Sequence, residues 1–220
     1  MASRRKAEEL IKSGRVKVNG VVAKIGDKVD PDVDLVEFDN TILKPVKKEY
    51  FVLNKPKDSI TTMSDPQGRI TIVDLLKRSD LFHVGRLDKD TRGLLILTND
   101  GDLANRLLHP KYEVERKYVV TVKGEVDSDK IEKLRKGIDL EDGPARFDKI
   151  RMIKIKGDKS ILEVSLHEGR KRMIRRMFEA IGNPVLDLVR IQFGPICLGN
   201  LKEGELRPLT REELEKLRCL

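Results

Sequence analysis

From Glu49 to the C-terminus, the apolar residues fall into short runs that switch irregularly between the two-residue repeat of a strand and the longer repeat of a helix. That irregular order constrains the fold more than any other feature. Strands rich in Val, Ile and Leu are expected at 50–54, 94–98, 117–123, 147–156, 160–167 and 185–193. Helices are expected at 72–78, 102–108, 127–136, 171–181 and 211–218, with Asp100 and Asp102 placed to cap the second. A regular strand–helix alternation would imply a parallel sheet. This order does not alternate, so the expected class is α+β, with a mixed, mostly antiparallel sheet flanked by helices.

A smaller unit precedes it. Ser3 can cap a helix running to about Ser13, with Ala7, Leu10 and Ile11 as its apolar stripe and Gly14 as its left-handed stop. Strands at 16–18 and 21–25 flank Asn19-Gly20, a pair that tolerates positive φ and so marks a hairpin. A further strand is expected at 35–38. The stretch 40–48, NTILKPVKK, carries a Pro and three Lys and reads as a linker. The expected division is a small domain at 1–45 and a larger one at 49–220.

Charge narrows the partner. Lys and Arg number 45 against 37 Asp and Glu, a formal +8, and such a balance attracts polyanions, nucleic acid above all. No apolar run approaches the roughly 20 residues of a membrane span. The opening MASRRKAEEL lacks the apolar stretch of a signal peptide, so a cytoplasmic location and no membrane contact are expected. Cys197 and Cys219 have no metal-binding spacing and are expected as free thiols. His83, His109 and His167 likewise show no ligand spacing.

Three clusters can carry chemistry. In the first, Arg4, Arg5 and Lys6 crowd a helix start, where the dipole disfavours cations, and Arg15 and Lys17 extend the basic surface; an anionic partner or a plain solvated face would explain them. The second is GRLDKDTRG at 85–93. Asp88, Asp90 and Gly93 fit the first, third and sixth places of a calcium loop, but Arg92 and Asn99 then stand where oxygen ligands are required, and no metal site results. Its acids are either loop caps or, beside Arg86, Lys89 and Arg92, an ionised carboxylate fit to act as nucleophile or base. In the third, five of the seven residues at 170–176 are basic and open a helix with Ile174, Met177, Phe178 and Ile181 on its apolar face. That is either an anion site or a basic surface helix. Tyr118 stands in a strand, where a core position is the commoner fate.

The segment HVGRLDKDTRGLLILTNDGDLANRLLHP resembles the signature of the RsuA-like pseudouridine synthases, which modify ribosomal RNA. FVLNKPKDSITT, EVERKYVVTVKG, HEGRKRMIRRMFEAIGNPV and IQFGPICLGNLKEGELRPLT resemble further segments of that family, and SRRKAEELIKSGRVKVNG resembles the S4 RNA-binding module, whose usual first helix would precede Met1. The resemblance implies that Asp88 is the catalytic aspartate in converting uridine to pseudouridine. Tyr118 would lie against the uracil and help remove the C5 proton, and Arg175 would pair with Asp88. It places Ile174 near the uracil, and Met173 where the family usually has Gln. Arg86, Lys55 and Arg172 become substrate contacts, and Arg4, Arg5, Lys6, Arg15 and Lys17 RNA contacts. It implies no cofactor and no metal, and ribosomal RNA or a pre-ribosomal particle as partner; a monomer is expected. A noncatalytic RNA-binding or assembly protein is the other class; it would not need Asp88, Tyr118 and Arg175 together.

Overall fold

The computed structural model describes residues 4–31 and 33–220, so the Ser3 cap lies outside the described residues. The chain forms two compact units, Met1–Lys48 and Glu49–Leu220.

The first unit holds α1 (Arg4–Lys12), β1 (Val16–Val18), β2 (Val21–Val22), β3 (Val36–Phe38) and β4 (Thr41–Ile42). Its strands run antiparallel in the order β2-β1-β3-β4. Asn19 and Gly20 take φ of 50° and 81° and make the expected hairpin. Asp39 and Asn40 repeat the device with φ of 48° and 60°, so β4 pairs with β3 inside the stretch expected as linker. The strand expected at 21–25 stops at Val22. Among the described residues of this unit only Ala23 is buried, so short ladders and turns, more than a core, define it.

The second unit begins with β5 (Tyr50–Lys55), α2 (Ile72–Leu76), β6 (Phe82–Val84), β7 (Arg92–Thr98), α3 (Gly101–Leu108), a 3-10 turn (Pro110–Tyr112) and β8 (Arg116–Lys123). It continues through α4 (Ser128–Lys136), β9 (Ile138–Leu140), β10 (Gly143–Ala145), β11 (Lys149–Lys156), β12 (Lys159–Leu166), α5 (Met173–Ala180) and β13 (Val185–Phe193). It closes with β14 (Ile196–Cys197), β15 (Leu206–Pro208) and α6 (Arg211–Arg218). The main sheet runs β11-β12-β8-β13-β7-β5-β15, with β14 beside β13 and β6 beside β7. All of its strand pairs are antiparallel except β13 with β7. The α+β class is as expected; the short strands β6, β9, β10, β14 and β15 were not, because two or three residues carry too little periodicity to detect.

Burial explains the main strands. In β7, Leu94 and Ile96 enter one core and Leu95 and Leu97 another, and Val52 and Leu53 divide likewise in β5. A strand covered on both faces must be apolar throughout, hence the unbroken LLIL of the sequence. In β8, Val120 and Val122 are fully buried while Val119 and Thr121 are half-buried, the alternation of a strand with one covered face. Asp100 caps α3 by accepting from the Leu103 amide, as expected.

The one parallel strand pair of the main sheet joins Val189 to Arg92 and Arg190 to Gly93, where β7 leaves the 85–91 loop. The next site upstream is the loop that carries Asp88.

Candidate active site

The loop between β6 and β7 is held by its backbone. The Thr61 hydroxyl donates to the Leu87 carbonyl at 2.8 Å, and its oxygen accepts from the Leu87 amide at 3.2 Å. The Asp58 amide donates to the Lys89 carbonyl at 2.9 Å, and the Thr91 amide to the Asp88 carbonyl at 3.0 Å. With Leu87 buried and its neighbours tied, Asp88 turns a side chain that is 42% exposed to the solvent side.

Lys55 sits beneath this loop. The sequence reading made it an RNA contact, but it is wholly buried and cannot reach RNA. Its Nζ donates to the carbonyls of Pro56 at 3.0 Å, Asp88 at 3.2 Å and Thr91 at 2.9 Å. Three acceptors match the three N–H groups of an ammonium, so Lys55 ties the loop's two ends to β5. The reason is topological: β5 and β7 are neighbours, so the last residue of β5 lies under the segment that enters β7.

Burial pushes the Lys55 ammonium down to about 8 from 10.5, with Asp88 and Asp90 opposing. Between those values the folded chain sheds a proton that the unfolded chain keeps, so this group favours folding more as pH rises. The neutral amine, however, has two N–H groups for three carbonyls, and the loop loosens. Turnover is therefore expected to fall as pH rises through about 8 while the thermal midpoint does not fall in step. A pH profile of kcat that stays flat to about pH 10 would contradict this role.

Helix α5 supplies the cations. The sequence reading pairs Arg175 with Asp88; the structure instead places Arg175 on the neighbouring segment. Its Nη2 donates to the Asp90 carbonyl at 3.0 Å and the Thr91 hydroxyl oxygen at 3.4 Å, and lies 3.3 Å from the Asp90 carboxylate. Arg172 makes a two-pronged pair with Asp90 at 3.1 and 3.2 Å and reaches Asp88 at 3.9 Å. Burial works against ionising Asp90, but the Arg172 hydrogen bonds and the charges of Arg175 and Arg172 outweigh it and hold that carboxyl below the usual range. The physical reason for the partner change is reach: the Asp90 main chain and side chain offer Arg175 acceptors together.

The rest of the basic cluster divides by role. Arg170 donates to Asp142 and to the Gly143 and Pro144 carbonyls, and Arg176 to both oxygens of Asp142, so these two bind the β9–β10 turn. Ile174 is buried in the larger core and lines the cleft.

Asp88, Arg86, Tyr118, Arg172, Ile174 and Arg175 line one cleft of about 680 Å³. Tyr118 is buried at its wall, so the core and cleft readings of this residue both hold. Sequence reasoning missed Asp90 as the holder of both arginines, Thr61 as the clamp on Leu87, and the cleft residues Arg116 and Arg190. One signal existed for Arg190: it is a lone cation inside the otherwise apolar run 188–191.

In the first unit, Arg4 pairs with Glu8 at 3.1 Å, Lys6 with Glu9 at 3.0 Å, and Arg15 with Asp39 while lying over the Phe38 ring. Lys17 donates to Asn40 at 3.0 Å, and Arg5 is exposed. Exposed pairs of this kind add little to stability. Among the described residues, no helix is long and apolar enough to cross a membrane, and no group of three or more His, Cys, Asp or Glu is placed to hold a metal ion.

Comparison with known proteins agrees over the whole chain. The family described as RNA pseudouridylate synthase matches residues 49–180, and the S4 domain matches residues 1–35. An uncharacterized RNA pseudouridine synthase of Aquifex aeolicus is 49% identical over 99% of this chain and 89% of its own. The ribosomal large subunit pseudouridine synthase B of Bacillus subtilis is 44% identical over 100% of this chain and 92% of its own. A crystal structure of a pseudouridylate synthase superposes with a TM-score of 0.70 at 34% identity, over 98% of this chain and 94% of its own.

Proposed function

The chain belongs to the RNA pseudouridylate synthase family, and we propose that it isomerises a uridine in ribosomal RNA with Asp88 as the catalytic carboxylate. Pseudouridine synthases are isomerases: the N1–C1′ bond breaks, the uracil turns, and C5 bonds to C1′. The C5 hydrogen leaves as a proton and N1 ends protonated, so nothing is gained or lost overall. The observation that carries the reading is a half-exposed Asp88 carboxylate on a backbone-clamped loop, sharing a cleft with Tyr118.

A carboxylate at the anomeric carbon can attack it or remove a neighbouring proton as the base departs. Arg172 lies 3.9 Å from it, and the clamp spares the carboxylate the reorganisation a mobile loop would need. A uridine must leave its stack to enter such a cleft, and an aromatic wall suits the extruded base. Ribosomal RNA as the substrate is supported by the Bacillus subtilis relative's name and by the basic S4-like unit.

The test is tritium release from C5-labelled transcripts of small- and large-subunit ribosomal RNA. Release from one of them supports the reading. Release only from transfer RNA would overturn the substrate class, and none from any RNA would favour a noncatalytic binding protein. A Tyr118→Phe chain keeps the ring and is expected to bind RNA normally but turn over about a hundredfold more slowly. Binding lost as severely as turnover would contradict a role for the hydroxyl.

A further inference from the structure

We propose that Arg116, backed by Arg190, is a phosphate-binding position of the cleft, holding a phosphodiester group of the RNA beside the target nucleotide. The proposal rests on the isomerase reading of the same cleft.

Register puts the two arginines around Tyr118. Arg116 stands two residues before it on β8, hence on the same face, and Arg190 is its cross-strand partner on β13. All three line the cleft. Each guanidinium carbon lies 5.3 Å from the centre of the Phe193 ring, which forms a shared apolar floor.

Neither cation is neutralised by the protein. Among the described residues no carboxylate lies within ion-pair distance of Arg116 or Arg190, whereas Arg170, Arg172 and Arg175 in the same cleft are each committed to an aspartate. Arg190 is 2% exposed; its Nε donates to the Leu94 carbonyl at 2.7 Å, and its Nη2 is buried without a partner. The Nε of Arg116 is likewise buried without one. Burial lowers the Arg116 pKa; the neighbouring Tyr118 opposes this and the charge of Arg190 adds to it. A fully buried and a half-buried like charge with no counter-ion are costly, and an anion between them and the solvent offsets the cost.

The site is also shaped for the Arg116 head. A methyl group on Gly169 would lie 2.8 Å from its Nη1, so the bare glycine leaves room for the guanidinium. In an RNA substrate the available anion is the phosphodiester, and a planar fork matches its two free oxygens.

The experiment measures KM and kcat by tritium release, and the salt dependence of binding by filter retention, on the same ribosomal transcripts. Arg116→Gln is expected to raise KM about tenfold or more, with kcat changed less than about threefold. The slope of log affinity against log salt should fall by about 0.7, one single-stranded phosphate contact. Arg116→Lys should restore that slope and only part of the KM, since it lacks the fork. Should Arg116→Gln fold poorly, Gly169→Ala keeps both charges while displacing Nη1, and KM should rise with the slope unchanged. A wild-type KM in both Arg116→Gln and Gly169→Ala would overturn the proposal. So would a fall in kcat with KM and slope unchanged, which would place Arg116 on the base. If the wild-type chain releases no tritium, the isomerase reading fails, and the salt slope of Arg116→Gln alone still decides the phosphate site.

Discussion

An Asp88→Asn chain is expected to release no measurable tritium from C5-labelled ribosomal RNA, a loss in kcat of at least about a thousandfold, while binding the RNA as wild type does. The substitution changes one oxygen to an amide and leaves the loop's supports alone. Thr61 and Lys55 hold the main chain at Leu87 and Asp88, and the Thr91 amide bonds the Asp88 carbonyl, so none of these needs the carboxylate. The side chain's own contact is Arg172 at 3.9 Å, with both groups more than a third exposed, so little stability is at stake. Loss of activity therefore separates from loss of fold. The parallel variant Asp90→Asn matters as much, because Asp90 is the carboxylate that Arg172 and Arg175 hold. Asp90→Asn should loosen the loop and reduce turnover without abolishing it. If instead Asp88→Asn stays active and Asp90→Asn is dead, the catalytic carboxylate is Asp90.

Gly93→Ala is expected to destabilise the protein by about 4 kcal/mol or more, through backbone collision and an unfavourable φ together. Gly93 has φ of 107°, a conformation L side chains rarely adopt. A Cβ there would lie 2.3 Å from the Arg190 carbonyl oxygen and 2.7 Å from its nitrogen. Both are main-chain atoms of the paired strand, so no rotamer change relieves the clash. Relief requires β7 and β13 to part at their parallel contact, where the 85–91 loop enters the sheet. Thermal unfolding should show a midpoint lowered by about 10 °C or more, with activity falling beyond the loss of folded protein. A midpoint within about 2 °C of wild type would mean the two strands yield easily, and that the glycine serves the loop's dynamics instead.

The elements with several turns or several pairs of alternating side chains were legible before any coordinates. β5, β7, β8, β11, β12, β13 and all of the helices in the second unit overlap the segments expected from periodicity. The missed strands β9 and β10 are three residues each, and β4 lay in a lysine-bearing stretch that composition reads as linker. Their formation depends on a partner strand and a turn, as with Asp39 and Asn40, and not on a pattern of their own.

The site divides along the same line. Residue order by itself marked the basic segment at 170–176, because a run of like charges is a local fact, but it left the loop acids open between caps and a reactive carboxylate; the resemblance to the family is what pointed to Asp88 and Tyr118. Which charge meets which partner was decided by tertiary structure alone. Lys55 moved from an expected RNA contact to a buried clamp because β5 and β7 are neighbours. Arg175 went to Asp90 because the approach of α5 sets its reach, and Arg116 and Arg190 came together through the β8–β13 register. Composition and periodicity act over a few residues and so determined the elements, the charge and the chemistry available; ion pairs and shared cavities join residues far apart in sequence, and only the folded chain could assign them.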